Sequence, residues 1–268
     1  MTATRLRQRL AACRAEGRGA LVVYLTFGDP DPAASIEIVV AAAAAGADVI
    51  ELGVPFSDPS ADGPVIQAAM ERALAAGGGL TSALDAVAAI RARGCEVPIV
   101  LFGYYNPIFV MGPAAFARRA ATVGVDACLT VDLPIDELDE LRGPLRDAGL
   151  DVIPLLAPTS TEARLARVGA LGAPFVYYIS MTGVTGAALD AAALSAERFA
   201  AVRAAVGAPL MIGFGIKTAA DARAAAAHAD GVVVGSAVVA RIAAAPATAP
   251  GAVAELVGEL AAALRPGG

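Results

Sequence analysis

The chain has 268 residues, of which 57% are hydrophobic and 17% charged, and its formal net charge is −6. This length and composition allow a large core and suit one α/β barrel. The acidic balance, with no basic cluster and no tryptophan, argues against nucleic acid as a partner, and charged residues, Gly and Pro interrupt every apolar run, which argues against a membrane span.

The chain begins with a predicted amphipathic helix over residues 2–17, in which Leu6, Leu10 and Cys13 recur at helical spacing. Short apolar runs then alternate with helical segments. The predicted strands are residues 20–26, 47–53, 97–102, 126–131, 150–155, 175–180, 209–213 and 231–234. The predicted helices are residues 33–45, 64–76, 81–93, 113–123, 135–148, about 160–171, 195–206, 218–227, a short one from 235, and 253–264.

Strands that are each followed by a helix predict one parallel sheet with helical crossovers. Eight is the number of strands that closes a (β/α)8 TIM barrel, and the length agrees. We therefore expect an α/β TIM barrel with an extra N-terminal helix. Because no linker or change in composition marks a boundary, we expect one domain over residues 1–268. A doubly wound open sheet is the alternative, and no sequence repeat is evident beyond the alternation of strand and helix.

The second strand leads into the most informative stretch, residues 51–64. Glu51 ends a hydrophobic strand, and a loop rich in Pro, Gly, Asp and Ser then delivers Asp62, eleven positions later. Gly63 and Pro64 mark the start of a helix. One carboxylate held on a strand and another on a loop are suited to act as an acid/base pair.

Polar side chains gather where the predicted strands end, the face at which barrels carry their active sites. They are Glu51, Asp62, Tyr104, Asn106, Asp132, Tyr177, Thr185 and Ser236. Taken singly, each of these positions also suits a residue that caps the next helix. Asp132 is open between a turn aspartate and a contact with the Asp62 loop, and Tyr177 or Tyr178 is open between the site and the core.

Glycine turns after the last three strands indicate a phosphate site. They are residues 183–186, 213–215 and 235–236, the last of which opens a helix. Backbone N–H groups at such turns bind anions, and barrels place phosphates at the loops after strands seven and eight. No Walker or GxGxxG motif is present, so no nucleotide is implied. Lys217 is better explained as a solvated residue at a helix start than as a Schiff-base lysine, and His228 as a helix-end or exposed residue.

Three cysteines, Cys13, Cys95 and Cys128, stand at scattered spacings without a CxxC pair, and there is one histidine. This set does not supply the ligands of a zinc site, so we predict no metal. A cysteine in a strand, such as Cys128, is far more often a small buried hydrophobe than a nucleophile. Cysteines of this kind fit a reducing compartment, and we predict a cytoplasmic protein.

Together these motifs resemble the tryptophan synthase α subunit family. The resemblance rests first on Glu51-Leu-Gly-Val-Pro-Phe-Ser-Asp-Pro followed by Ala61-Asp-Gly-Pro, a highly specific stretch. It continues in the same order, over nearly the whole chain, through residues 26–30, 104–107, 131–134, 182–186, 213–216 and 235–236. It implies a (β/α)8 barrel and a lyase of L-tryptophan biosynthesis that cleaves indole-3-glycerol phosphate to indole and glyceraldehyde 3-phosphate. It also implies no cofactor in this chain and a β-subunit partner that contains pyridoxal phosphate, in an α2β2 heterotetramer.

The resemblance also implies roles for individual residues. Glu51 is the acid/base that protonates the indole ring carbon and deprotonates the glycerol hydroxyl, and Asp62 holds the indole N–H and stabilises the positive charge that develops there. The implied substrate-binding residues are Tyr24, Phe102, Leu129, Leu155, Tyr177, Thr185, Gly186, Phe214, Gly215, Gly235 and Ser236. The implied contacts with the β subunit are Asp58, Pro59, Tyr104 and Asn106.

Two residues depart from the family pattern. Met181 stands in the strand-six loop where some members have Arg, which bears on loop ordering and on coupling to the partner. Tyr24 stands where some members have Phe, which adds a hydroxyl to the pocket wall.

Two other functions stay open on the residues alone. One is another reaction on a sugar phosphate, against which the spacing of Glu51 and Asp62 and the apolar walls argue. The other is a subunit that only binds and regulates a partner, which would need neither carboxylate.

Overall fold

The computed structural model describes residues 4–179, 196–213 and 215–266. The strands of this part, β1 to β9, are Ala20–Thr26, Val49–Gly53, Ile99–Gly103, Ala127–Thr130, Asp151–Val152, Leu155–Leu156, Val176–Ile179, Leu210–Gly213 and Gly231–Val234. Its helices, α1 to α12, are Arg5–Ala15, Pro32–Ala45, Pro64–Ala75, Leu80–Ala92, Tyr105–Met111, Pro113–Val123, Asp139–Asp147, Glu162–Ala170, Ala196–Val206, Ala219–Ala226, Ser236–Ala244 and Ala249–Ala263, with a 3-10 turn at Pro246–Thr248 before the last helix.

The strands form one parallel sheet in the order β5-β4-β3-β2-β1-β9-β8-β7-β6. Only Ile153 and Pro154 separate β5 from β6, so one stretch of chain pairs with β4 on one side and with β7 on the other. The amide of Ile153 donates to the carbonyl of Cys128 at 2.9 Å, and the carbonyl of Pro154 accepts from Tyr177 at 3.1 Å. The sheet thus curls round into a barrel. The predicted TIM barrel is confirmed and the open sheet was wrong. The predicted strand 150–155 is split because Pro154 has no N–H to donate.

Successive side chains of each strand point to opposite faces of the sheet. Inward-facing residues such as Val22, Val49 and Val100 form one cluster inside the barrel. The residues between them form the larger cluster that packs against the surrounding helices. Leu6 and Leu10 of α1 belong to the inner cluster, so the predicted extra helix is present and covers the N-terminal end of the barrel.

Aspartates at the starts of strands hold α1 in this position. Asp48 is fully buried, accepts the amide of Leu21 at 2.8 Å, and accepts two N–H groups of Arg18 at 2.7 and 2.9 Å. Three arginines of α1 pair with such aspartates: Arg5 with Asp126, Arg7 with Asp151 and Arg9 with Asp48. The opposite, C-terminal end of the barrel is the one at which the two predicted carboxylates lie.

Some predicted elements differ in detail from the structure. The stretch after β3 was expected to be a loop, but it forms α5, whose first amide, that of Tyr105, donates to Asp132 at 2.8 Å. Asp132 therefore makes the turn contact that one interpretation gave it. Helix α4 begins at Leu80, after Gly79, one residue before the predicted start. The helix expected over residues 135–148 begins only at Asp139.

The described residues contain no single helix that is long and apolar enough to cross a membrane. Two bent helix pairs, α3 with α4 and α11 with the segment Pro246–Ala263, meet the same test by length and composition alone.

Candidate active site

Glu51 lies inside the barrel near the C-terminal end of β2. It follows Val49 by two positions and so shares its inward face, between Tyr24 on β1 and Val100 on β3. It is 0% exposed, and among the described residues neither of its carboxyl oxygens has a hydrogen-bond partner. Burial raises the pKa of Glu51 to about 8. At neutral pH the group is therefore mostly the uncharged acid, the form that can give a proton to a substrate.

Asp62 lies half-buried in the loop between β2 and α3. The hydroxyl of Tyr104 donates a hydrogen bond to its Oδ2 at 2.7 Å. The side-chain amide of Gln67 donates to its backbone carbonyl at 2.8 Å. The pKa of Asp62 is raised by burial, and the hydrogen bond from Tyr104 offsets part of this rise. The two carboxyl groups thus lie in different surroundings. Such a difference can separate their pKa values, so that one acts as the acid and the other stays ionised.

Two tyrosines fill the space near these carboxyl groups, and a glycine makes room for each. A Cβ atom on Gly53 would overlap the ring and hydroxyl of Tyr24, and one on Gly213 would overlap those of Tyr177. Burial, followed by the neighbouring charges of Asp62 and Glu51, raises the pKa of Tyr24, and its hydroxyl lies 3.3 Å from that of Thr26. Burial and the charges of Glu51 and Asp62 likewise raise the pKa of Tyr177. Both hydroxyls therefore stay protonated and uncharged near the carboxyl groups.

Apolar side chains surround Glu51 in the interior of the barrel, and we call this part of the interior the chamber. Phe102, Leu129 and Leu155 belong to the inner cluster, and the ring of Phe102 meets that of Tyr24 edge to face at 5.1 Å. Tyr178 lies outside the barrel against Phe199. Tyr177 thus faces the interior of the barrel, and Tyr178 belongs to the core outside it. A chamber with apolar walls and two carboxyl groups suits a flat aromatic ligand with one polar edge.

Of the predicted phosphate residues, those that the structure describes after β8 and β9, Gly215, Gly235 and Ser236, lie on the neighbouring part of the same rim. Gly215 has a φ of +58°, a conformation that favours glycine. Gly235 precedes α11, which starts at Ser236 and has no side-chain cap on its first amides. Such free N–H groups bind anions. A Cβ on Gly235 would lie 3.4 Å from the Cβ of Tyr24, so this helix start adjoins the chamber.

The remaining predicted residues divide into three groups. Thr185, Gly186, Phe214 and Met181 lie outside the described residues. Asp58 and Asn106 lie on the rim and are exposed, as expected for residues that contact a partner. Tyr104 is 4% exposed and donates a hydrogen bond to Asp62, and its contact with the partner stays a prediction.

Other polar residues that the sequence singled out lie away from this chemistry. Lys217 and His228 are exposed, which fits the solvated interpretation of both. Within the described parts of the chain, no group of three His, Cys, Asp or Glu side chains is arranged to hold a metal ion.

Comparison with known proteins gives one consistent result. Residues 10–264 match the family model for the tryptophan synthase alpha chain. The tryptophan synthase alpha chain of Burkholderia mallei (strain NCTC 10229) is 52% identical over 237 residues, which cover 88% of this chain and 87% of that protein. The one from Thioalkalivibrio sulfidiphilus (strain HL-EbGR7) is 53% identical over 241 residues, 90% of each. The crystal structure of tryptophan synthase subunit alpha from Legionella pneumophila str. Paris matches with a TM-score of 0.91 at 36% identity, covering 98% of this chain and 99% of that one.

Proposed function

The chain belongs to the tryptophan synthase alpha chain family, and from this premise we propose how its two carboxyl groups carry out the reaction. The protein is a carbon–carbon lyase of tryptophan biosynthesis that cleaves indole-3-glycerol phosphate to indole and glyceraldehyde 3-phosphate. We propose that Glu51 is the acid/base and Asp62 the stabilising anion. The observation that carries this proposal is the Glu51 carboxyl group, which is fully buried and has no hydrogen-bond partner among the described residues.

In this proposal Glu51 starts the reaction as an acid. It gives its proton to the indole ring carbon that bears the glycerol chain, which breaks the aromaticity of the ring and leaves a positive charge at the ring nitrogen. Asp62, kept anionic by the hydroxyl of Tyr104, accepts the N–H hydrogen bond and stabilises that charge. An anion aimed at the charge that develops lowers the barrier more than it lowers the energy of the bound substrate.

Glu51 then acts as the base. Its carboxylate takes the proton of the adjacent glycerol hydroxyl, the carbon–carbon bond breaks, and the bonding electrons return to the ring as indole. The hydroxyl carbon becomes the aldehyde of glyceraldehyde 3-phosphate, and Glu51 is again protonated. A pKa of about 8 suits both directions of transfer near neutral pH.

We propose that the substrate's phosphate binds at Gly215, Gly235 and Ser236, and that Gly186 and Phe214 also bind the substrate. The uncapped start of α11 and the close approach of Gly235 to Tyr24 support this assignment. The walls for the indole ring are then Tyr24, Phe102, Leu129, Leu155 and Tyr177. We also propose Thr185 as a substrate-binding residue.

An alpha chain of this family works with a beta-subunit partner. We propose that the partner binds the rim that carries Asp58, Pro59 and Asn106. The exposed residues Phe109 and Val110 on α5, at 59% and 77% exposure, support this face, because adjacent exposed apolar side chains mark interaction sites.

The assembly and its setting are further parts of the proposal. We propose an α2β2 heterotetramer in which the partner holds pyridoxal phosphate, while this chain needs only its carboxyl groups and uses no cofactor. We also propose a cytoplasmic enzyme, on the basis of its scattered cysteines.

Replacing Glu51 by Gln tests the assignment. We expect Glu51→Gln to reduce indole release from indole-3-glycerol phosphate by about 10²- to 10⁴-fold, because the amide cannot transfer the proton. The rate is measured with the chain alone and with a β subunit from the same organism. The matched control is Glu37→Gln on the outer surface of α2, which should leave the rate unchanged. A variant that keeps its rate, or that no longer unfolds cooperatively, would contradict the role of Glu51.

A further inference from the structure

Tyr104 makes two hydrogen bonds with the loop that carries Asp62. Its hydroxyl donates to Asp62 Oδ2 at 2.7 Å and accepts from the backbone amide of Ala61 at 3.0 Å. The direction of these bonds is fixed by chemistry, because a backbone N–H only donates. The hydroxyl oxygen is occupied by Ala61, which leaves its proton for the carboxylate.

The ring of Tyr104 is also fixed in place, by burial and by stacking. It is 4% exposed and stacks on Phe56, a residue of the same loop, with ring centroids 4.9 Å apart and an interplanar angle of 26°. Its backbone lies between the end of β3 and the start of α5, where Asp132 fixes the next amide. Tyr104 thus joins the Asp62 loop to a strand of the barrel wall.

Other contacts hold the loop but leave the Asp62 carboxylate alone. Gln67 binds the backbone carbonyls of Pro59 and Asp62. Among the described residues, the hydrogen bond from Tyr104 is the only one that reaches the carboxylate. Such a charge-assisted bond both aims a carboxylate and favours its ionised form.

We propose that Tyr104 is the positioning residue for Asp62: it fixes the direction of the carboxylate and keeps it ionised although the side chain is half-buried. This inference rests on the role proposed above for Asp62. It gives Tyr104 a task inside the site, whereas its sequence motif suggested a contact with the partner. The opposing influences of burial and of this hydrogen bond on the pKa of Asp62 agree with it.

The test is Tyr104→Phe, which keeps the ring and its stacking on Phe56 but removes the hydroxyl. We expect kcat for indole release to fall about 10- to 100-fold, since a hydrogen bond to a charged group is lost. We also expect the acid limb of the pH–rate profile to move to higher pH, because Asp62 is then protonated more easily. In the Asp62→Asn background, Tyr104→Phe should no longer move that limb.

A direct titration separates this proposal from the proposed function. The Asp62 carboxyl is followed by carbon NMR in the wild type and in Tyr104→Phe, and its pKa should be higher in the variant whether or not indole is released. The matched control is Tyr105→Phe, since the ring of Tyr105 packs outside the barrel near Phe109. It should change neither the rate of the chain alone nor the titration.

A fluorinated tyrosine at position 104 is a second test, which remains informative if Tyr104→Phe does not fold. Its hydroxyl is a stronger donor at nearly unchanged volume, so the pKa of Asp62 should move down where Tyr104→Phe moves it up. An unchanged Asp62 titration in both variants would overturn the proposal. A lower rate with an unchanged pH profile would also overturn it, because Tyr104 would then serve only to hold the loop.

Discussion

At the scale of one residue, the burial of Glu51 opposes folding. A fully buried carboxyl group without a hydrogen-bond partner among the described residues is unfavourable for folding, whichever protonation state it takes. In the proposed mechanism this burial has a use, because it raises the pKa of Glu51 to about 8 and keeps the carboxyl group protonated at neutral pH. Stability is exchanged for reactivity at this position.

The pH dependence of stability should report Glu51 directly. Its pKa is raised from 4.5 to about 8 in the folded chain. The unfolded chain therefore releases this proton first as the pH rises. The contribution of Glu51 to stability is fully present below about pH 4.5 and is lost as the pH rises through about 8, at up to about 1.4 kcal/mol per pH unit. We expect this loss in the wild type relative to Glu51→Gln, measured by denaturant unfolding at pH 5 and pH 8.

Parallel pH dependence of the free energy of unfolding in the two proteins would contradict the raised pKa of Glu51.

The pH dependence of the activity should report the protonation of Glu51 as well. The pH–rate profile of the wild type should fall above about pH 8, as the acid form of Glu51 disappears.

The residues that the sequence identified and those that it missed differ in a physical way. Glu51 and Asp62 stand out because carboxylates after an apolar strand and in a Gly/Pro loop are unusual in local sequence. The contact of Tyr104 with Asp62 joins residues 42 positions apart, and local sequence does not encode such a pairing. Gly53 carried a usable signal, since a glycine inside a strand marks a close approach.

At the scale of the strand, Gly53 decides whether the chamber can hold Tyr24. We expect Gly53→Ala to destabilise the protein by about 1–3 kcal/mol, because the added Cβ overlaps a buried ring that cannot move away. Thermal or denaturant unfolding measures this loss, and indole release should fall with it.

The control for Gly53→Ala is Gly258→Ala in α12, where an added Cβ meets nothing within 4 Å. That change should raise stability by about 0.5–1 kcal/mol, because alanine favours the helix. Equal effects of the two substitutions would show that space for Tyr24 is not the reason for Gly53.

The prediction of elements succeeded where the hydrophobic pattern is local. Strand β1 and helix α6 have the predicted bounds, because an apolar run or a Pro-to-Gly helical segment is read from neighbouring residues. Helix α5 was missed because its first amide is held by Asp132, a residue of the next βα unit. The recurrent aspartate at strand starts was also missed, since its partners lie on α1 and on neighbouring strands.

Asp48 helps to hold helix α1 against the barrel. Burial alone would raise its pKa, but hydrogen bonds from Arg18 and the Leu21 amide lower it. We expect Asp48→Asn to cost about 3–5 kcal/mol of unfolding free energy, because the ion pairs of a fully buried carboxylate are broken on one side and the half-buried Arg9 and Arg18 lose their counter-charge. Glu37→Gln, which breaks an exposed pair with Arg93, should cost at most about 1 kcal/mol. Similar losses in a urea titration would contradict the anchoring role.

At the scale of the whole molecule, the two ends of the barrel have different tasks. The N-terminal end is covered by α1 and tied by ion pairs, while the C-terminal end carries the carboxyl groups and the glycine turns. The sequence allowed this polarity to be predicted, because the alternation of strand and helix implies a barrel whose site lies at the strands' C-terminal ends. That residues 1–268 form one domain stays a prediction.

We expect the split at Ile153 and Pro154 to make the barrel wall locally less stable there than at β1. β1 spans Ala20–Thr26, whereas β5 and β6 have two residues each. In deuterated water we expect the amides of Ile153 and Tyr177, which bridge this split, to exchange faster than those of Val22 and Val23 in β1. Equal protection in an NMR exchange experiment would contradict this.

Leu155 and Tyr177 border the split and also face the inner cluster. If the wall gives way there first, the chamber widens sideways beside the bound ring. The barrel would then adjust its volume to a larger ring at this seam, three strands away from β2, which carries Glu51.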